Sequence, residues 1–207
     1  MTVTTSRVYL LEVASDELVD AELHDAIEET HLADWEALWK PSLEEAIRRL
    51  HKAGVPRDKW PQSRHWDWRD KLSEIEKLLA KQCFSVVCQG ETQGLMAVDL
   101  TKSARVGEQR GKPIVYVDYL ETAPWNRPEL YKPPRFRGVG SILVRTAIEC
   151  SQQEEFKGRI GLHSLPQADQ FYREKCGMTD LGPDSAYQNL RYFEMTQEQA
   201  RVFSERR

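Results

Sequence analysis

A chain of 207 residues with 40% hydrophobic and 30% charged side chains can bury one substantial core, and its formal net charge of −4 argues against a dedicated nucleic-acid binder. No run of about 18 apolar residues occurs, so neither a membrane-spanning helix nor a membrane partner is expected. The four cysteines, Cys83, Cys88, Cys150 and Cys176, stand in apolar surroundings without paired CxxC spacing, which argues against a metal site and fits a soluble protein in a reducing, cytoplasmic compartment.

In chain order, RVYLLEV (Arg7 to Val13) reads as a first strand from its branched and aromatic content. From about Asp16 to Lys81 the pattern reads as helical. Leu18, Leu23, Ile27, Leu32, Trp35, Leu38 and Trp39 recur at roughly helical spacing, and Ser42 with Glu45 suggests a capping box opening a short helix. VPRDKWPQSR interrupts, and HWDWRDKLSEIEKLLAK, with Leu72, Ile75, Leu78 and Leu79 on one stripe, predicts a further helix ending near Lys81.

CFSVVCQG and TQGLMAVDLT then read as a hairpin, and KPIVYVDYLETA as a long central strand. APWNRPELYKPPRFRGVG is loop by composition. It leads into a helix with Val139, Ile142, Leu143, Ala147 and Cys150 on one face. KGRIGLHSL predicts another strand, PQADQFYREKC a short helix and LRYFEMT a final strand. The expected fold is a single α/β domain over residues 1–207, a mixed central sheet with flanking helices, a helical elaboration at about 16–81 and a core at about 82–195.

The segment RFRGVG, Arg135 to Gly140, combines two glycines and two arginines at a helix entrance. A helix start leaves about four N–H groups without partners, and glycine lets a ligand approach the backbone closely, so the segment suits an anion such as a pyrophosphate. A purely steric use of the glycines stays open. There is no GxGxxG dinucleotide loop and no GxxxxGK triphosphate loop.

Arg135-x-x-Gly138-x-Gly140, after a long strand and before an amphipathic helix, resembles the acyl-CoA loop of the GNAT superfamily, the acetyl-CoA-dependent N-acetyltransferases. Ala168-Asp169-Gln170-Phe171-Tyr172, followed by Gly177-Met178, is similar to the family's A-x-x-F-Y-x-x-x-G-F segment, with one extra residue before the glycine and Met178 where Phe is common. Leu165 stands where the family often has Asn. The resemblance covers about residues 82–195. It implies a GNAT fold, acetyl-CoA as co-substrate, and direct transfer of the acetyl group to an amine of a small molecule or protein.

On this resemblance the backbone of Phe136, Arg137, Gly138, Val139, Gly140 and Ser141, with Arg135, would hold the pyrophosphate. Leu120 and Thr122, at the end of the central strand, would bond to the pantetheine, and Tyr172 would protonate the departing thiolate. Glu121 is the carboxylate placed to take the amine proton, with a structural pairing to a nearby arginine as the alternative, and His163 is a second proton acceptor or a structural strand histidine. Trp66 and Trp68, flanking Asp67, either line an acceptor pocket or anchor the helices on the sheet; Trp125 and Asn126 are further substrate candidates. An inactive acyl-CoA-binding or interaction module is the rival function, and a homodimer stays open.

Overall fold

The computed structural model describes residues 3–75 and 77–205. Strand β1 (Thr5–Glu12) pairs antiparallel with β2 (Glu17–His24), from Thr5 opposite His24 to Glu12 opposite Glu17. Asp16, at φ 56°, closes the turn by donating its N–H to the Glu12 carbonyl at 2.9 Å. The helix expected from Asp16 onward therefore begins later. In ELVDAELH the two-residue period wins: Val19, Ala21 and Leu23 turn inward while Leu18, Asp20 and Glu22 are exposed.

Helix α1 (Glu29–Asp34) runs without a break through a π-helical turn at Trp35–Trp39 into α2 (Lys40–Lys52). Proline at position 41 has no N–H to give and its ring crowds the carbonyl four residues back; the wider turn ahead of it, closed by Lys40 N–H on the Trp35 carbonyl, takes up that misfit. Ser42 is thus inside a helix rather than capping one, and its hydroxyl meets the Tyr131 hydroxyl at 2.7 Å. Helix α3 (Trp68–Ile75) is capped by Asp67, whose Oδ1 accepts the N–H groups of Arg69 (2.9 Å) and Asp70 (3.2 Å). The expected continuation to Lys81 is absent: Leu78 and Leu79 are 51% and 106% exposed, off the buried stripe of Leu72 and Ile75, and Lys81 already opens β3 (Lys81–Cys88). Glu76 lies outside the described residues.

Strand β3 turns into β4 (Glu91–Ser103) through Gln89 and Gly90, both at positive φ (54° and 76°), as a two-residue hairpin requires. Then follow β5 (Pro113–Thr122), the two-residue β6 (Phe136–Arg137), α4 (Val139–Gln153), β7 (Ile160–Ser164), a π-helical turn at Phe171–Lys175, β8 (Thr179–Asp184), β9 (Leu190–Met195) and α5 (Gln197–Glu205). The sequence reading lacked β6, β8 and α5. The strands are hydrogen-bonded in the order β6-β1-β2-β3-β4-β5-β7-β9-β8; β5 and β7 are parallel and β7 and β9 antiparallel, so the sheet is mixed as expected.

The chain divides into two compact units, Met1–Leu78 with Cys83–Met96 and Leu120–Gly140, and Leu79–Gln82 with Ala97–Tyr119 and Ser141–Arg207. In the first, the helices are bolted to the start of β4. Trp39 Nε1 donates to the Thr92 carbonyl at 2.8 Å, and Asp34 Oδ2 accepts both the N–H and the hydroxyl of Thr92 at 2.8 Å. In the second, Leu143, Val144, Ala147 and Ile148 form the buried face of α4, and Arg145 reaches the Ser204 carbonyl on α5 at 2.8 Å.

His31 of the first unit is buried, and its partners assign its protonation. Nδ1 accepts the Glu28 N–H at 2.9 Å; Ser85 Oγ spends its hydrogen on the Ala26 carbonyl at 2.8 Å and so accepts from Nε2 at 3.2 Å. A second proton at Nδ1 would face an N–H, and burial, followed by the neighbouring His24, holds the imidazole pKa below its usual 6.5. The unfolded chain therefore takes up this proton first, and stability that is full above about pH 6.5 falls as the pH drops towards the folded-state pKa. Urea midpoints at pH 7.5 and 5.5 should show that loss, and His31→Asn, which keeps an acceptor for Glu28, should flatten it; an equal slope in the variant would assign the dependence elsewhere.

Candidate active site

Strand β5 delivers Leu120, Glu121 and Thr122 to its C-terminal end within the first unit. Glu121 is 4% exposed with both carboxylate oxygens in use: Oε1 meets Arg127 Nη2 and Oε2 accepts Trp68 Nε1, each at 2.7 Å. Arg127 also donates Nε to the Thr122 carbonyl (2.8 Å) and Nη1 to Ser63 Oγ (3.0 Å). Trp68, 0% exposed, thus anchors α3 to the strand, whereas Trp66 is half-buried under Lys71, whose Nζ lies 5.0 Å from its ring centre.

The RFRGVG segment is held just as closely. The Arg135 guanidinium is paired with Glu91 and donates from Nη2 to Gln89 Oε1 at 2.8 Å, and the Phe136 N–H donates to Asn126 Oδ1 at 3.0 Å. Phe136 and Arg137 form β6 opposite Glu12 and Leu11 of β1. Beyond them the groups are open. Arg137 is exposed and makes no ion pair among the described residues, Gly138 is exposed, and α4 begins at Val139. Gly138 sits at φ 104°, where L side chains rarely go, and a Cβ there would touch only Leu10 Cδ2, at an ordinary 3.6 Å. Space is therefore left around this backbone, and its angle demands glycine.

In the second unit, the parallel pairing of β5 with β7 runs from Val115–Ile160 to Val117–Leu162 and stops, although β7 continues to Ser164. His163 has both ring nitrogens engaged, Nδ1 with the Tyr116 hydroxyl at 2.5 Å and Nε2 with Asp184 Oδ2 at 3.0 Å, and stacks on Tyr187 at 3.8 Å. Burial lowers its pKa, so the neutral ring is the favoured form. Tyr172 is buried against Phe171 and Phe193, and burial raises its phenol pKa, keeping the proton on. Ser141 also belongs to this unit, while Asp118, the other carboxylate of β5, is bound to Lys81 at 2.5 Å.

No family model and no curated protein matches the sequence. Among solved structures, the GNAT domain of PAT from S. lividans is similar over 92% of this chain and 96% of its own, at 14% identity and a TM-score of 0.51. The chain has the fold of the GNAT superfamily. A structure described as a bacterial toxin matches 67% of this chain and 80% of its own, at 14% identity and a TM-score of 0.50.

Within this GNAT fold the sequence reading had missed Gln93 and the place of Arg127. Gln93 is 0% exposed and its Oε1 accepts Trp125 Nε1 and Asn126 Nδ2, both at 2.9 Å, so the two loop residues read as substrate candidates turn inward to β4. The signal was present: a glutamine inside the apolar run TQGLMAVDLT must find partners if buried. Among the described residues no cluster of His, Cys, Asp or Glu could hold a metal ion, and no helix is long and apolar enough to cross a membrane.

The loop geometry separates two glycine substitutions. Gly138→Ala should cost stability, about 1–3 kcal/mol from the forced backbone angle, together with anion affinity. Gly140, inside the first turn of α4 and outside the left-handed region, should accept alanine without that backbone cost yet bind an anionic ligand less well. Paired melting and titration measurements decide it; a Gly140→Ala protein with undiminished affinity would take Gly140 out of the anion site.

Proposed function

We propose that the chain is an acetyl-CoA-dependent N-acetyltransferase acting on an amine of a small molecule or a protein. One observation carries the reading: on a GNAT fold, the arginine-flanked glycine turn stands directly before α4 with Gly138 and Arg137 exposed. Acetyl-CoA would supply the thioester carbonyl that the amine attacks.

The chain's own residues have these parts. The N–H groups of Gly138, Val139, Gly140 and Ser141 and the Arg137 guanidinium hold the pyrophosphate, the helix start favouring negative charge. Arg135, already matched by Glu91, braces the loop. The backbone at Leu120 to Thr122 guides the pantetheine; the Tyr172 phenol, which burial keeps protonated, donates a hydrogen bond to the departing thiolate sulfur. Each Glu121 oxygen keeps a lone pair beyond the one used by Arg127 or Trp68, and through an intervening water it takes the proton of the attacking amine.

Calorimetric titration should show acetyl-CoA, and neither ATP nor NAD, binding and raising the melting temperature by mass action. A screen of amines for thiol release then finds the acceptor. The engagement of both Glu121 oxygens and both His163 nitrogens favours a second reading, an acyl-CoA-binding module without transfer chemistry. Such a module binds and is protected but releases no thiol with any amine. Equal binding of all three nucleotides, or none of acetyl-CoA, overturns both.

A further inference from the structure

Arg135 and Phe136 are fastened at three points within the first unit. The Arg135 N–H donates to the Trp125 carbonyl at 2.9 Å, its guanidinium is matched by Glu91 and Gln89, and the Phe136 N–H ends on Asn126 Oδ1 at 3.0 Å. Behind Asn126 stands Gln93, whose Oε1 accepts from Asn126 Nδ2 and Trp125 Nε1 at 2.9 Å and whose Nε2 donates to the carbonyls of Glu91 (3.1 Å) and Cys88 (3.4 Å).

Every amide in this chain of bonds has its orientation set by what it faces. Two donors converge on Gln93 Oε1, two carbonyls face its nitrogen, and an N–H faces Asn126 Oδ1, so neither side chain can flip without setting like against like. A wholly buried glutamine is costly unless its bonding positions are filled, and here filling them ties the β3–β4 turn to the loop that enters α4.

We infer that Gln93 and Asn126 are positioning residues that hold the phosphate-binding loop in register, and so govern affinity for the diphosphate end of the co-substrate and not for its pantetheine arm. The inference rests on the acetyl-CoA reading. By taking the Phe136 N–H, Asn126 removes that group from the anion's donors; by matching Arg135, Glu91 does the same for its guanidinium. Donation is left to Arg137 and to the backbone from Gly138 onward, at positions that the Gln93–Asn126 pair dictates.

Coenzyme A and pantetheine, which lacks the diphosphate, are the probes, with dissociation constants from calorimetry and ligand-observed NMR and melting temperatures alongside. Asn126→Ala should weaken coenzyme A by about tenfold or more while changing pantetheine by less than about twofold, the loss of one buried hydrogen-bond relay. Asn126→Asp keeps an oxygen for Phe136 but sets the other against Gln93 Oε1; it should show the same selective loss, and being nearly isosteric it serves where the alanine variant does not fold. Adding Gln93→Ala to Asn126→Ala should weaken coenzyme A little further, because both act through one relay. Unchanged coenzyme A affinity in either folded variant, or equal weakening of both probes, overturns the inference. If the wild-type chain binds no coenzyme A, the co-substrate reading falls and the inference with it; wild-type binding with an unselective variant removes the inference alone.

Discussion

Arg127→Ala destabilises the protein by about 3–5 kcal/mol, read as a lower urea midpoint at an unchanged slope. Glu121 is 4% exposed and the Arg127 side chain 11%, so the pair has given up most of its water; removing the cation leaves a buried carboxylate matched only by the Trp68 indole. The same substitution frees the Thr122 carbonyl and Ser63 hydroxyl that Arg127 bonds. Arg127→Lys should recover part of the loss, since an ammonium can meet Glu121 but cannot serve three acceptors in one plane. Arg201→Ala, removing an exposed cation beside Glu198 and Glu205, should leave the midpoint in place. A change under about 1 kcal/mol in Arg127→Ala would mean that water reaches the pair freely.

Glu194→Gln should cost about 2–5 kcal/mol, although it changes one atom. The fully buried carboxylate accepts four hydrogen bonds: Oε1 from the Val106 N–H (2.9 Å) and Gln109 Nε2 (2.6 Å), Oε2 from the Arg105 N–H (2.7 Å) and the Tyr192 hydroxyl (3.0 Å). An amide can accept on one side only. Its NH2 group must then face a backbone N–H, of Val106 or of Arg105, that cannot turn away, whereas the Gln109 amide or the Tyr192 hydroxyl can turn to accept from it. Denaturant titration of the variant checks the size, and Glu194→Gln with Tyr192→Phe should lose less than the sum, because both changes remove the same hydrogen bond. Additive losses would show that Tyr192 is not held through this carboxylate.

What could be read from the sequence was what local chemistry dictates. The β3–β4 hairpin, β5 and α4 announce themselves by apolar period and by Gly90 and Gly138, and the turn into α4 by its glycines and arginines. β2 was misread because Leu18, 70% exposed, mimics a helical stripe that tertiary pairing does not use. The β6 pairing, between residues more than a hundred positions apart, has no local signature, and β8 hides behind Gly182 and Pro183. The candidate site was legible residue by residue but not bond by bond. That Glu121 meets Trp68, or that Arg135 meets Glu91 rather than standing free, depends on contacts that spacing cannot encode.

The two-residue strand β6 also has a colloidal consequence. It ends the strand order and covers β1 only at Leu11 and Glu12, the end of that border nearest the turn, while the uncovered stretch carries the charged, exposed Arg7. An uncovered run of strand backbone is a template on which another chain can add. The two residues that lead into the exposed glycine turn therefore act as a selvedge, finishing the fabric of the sheet where it would otherwise fray into its neighbours.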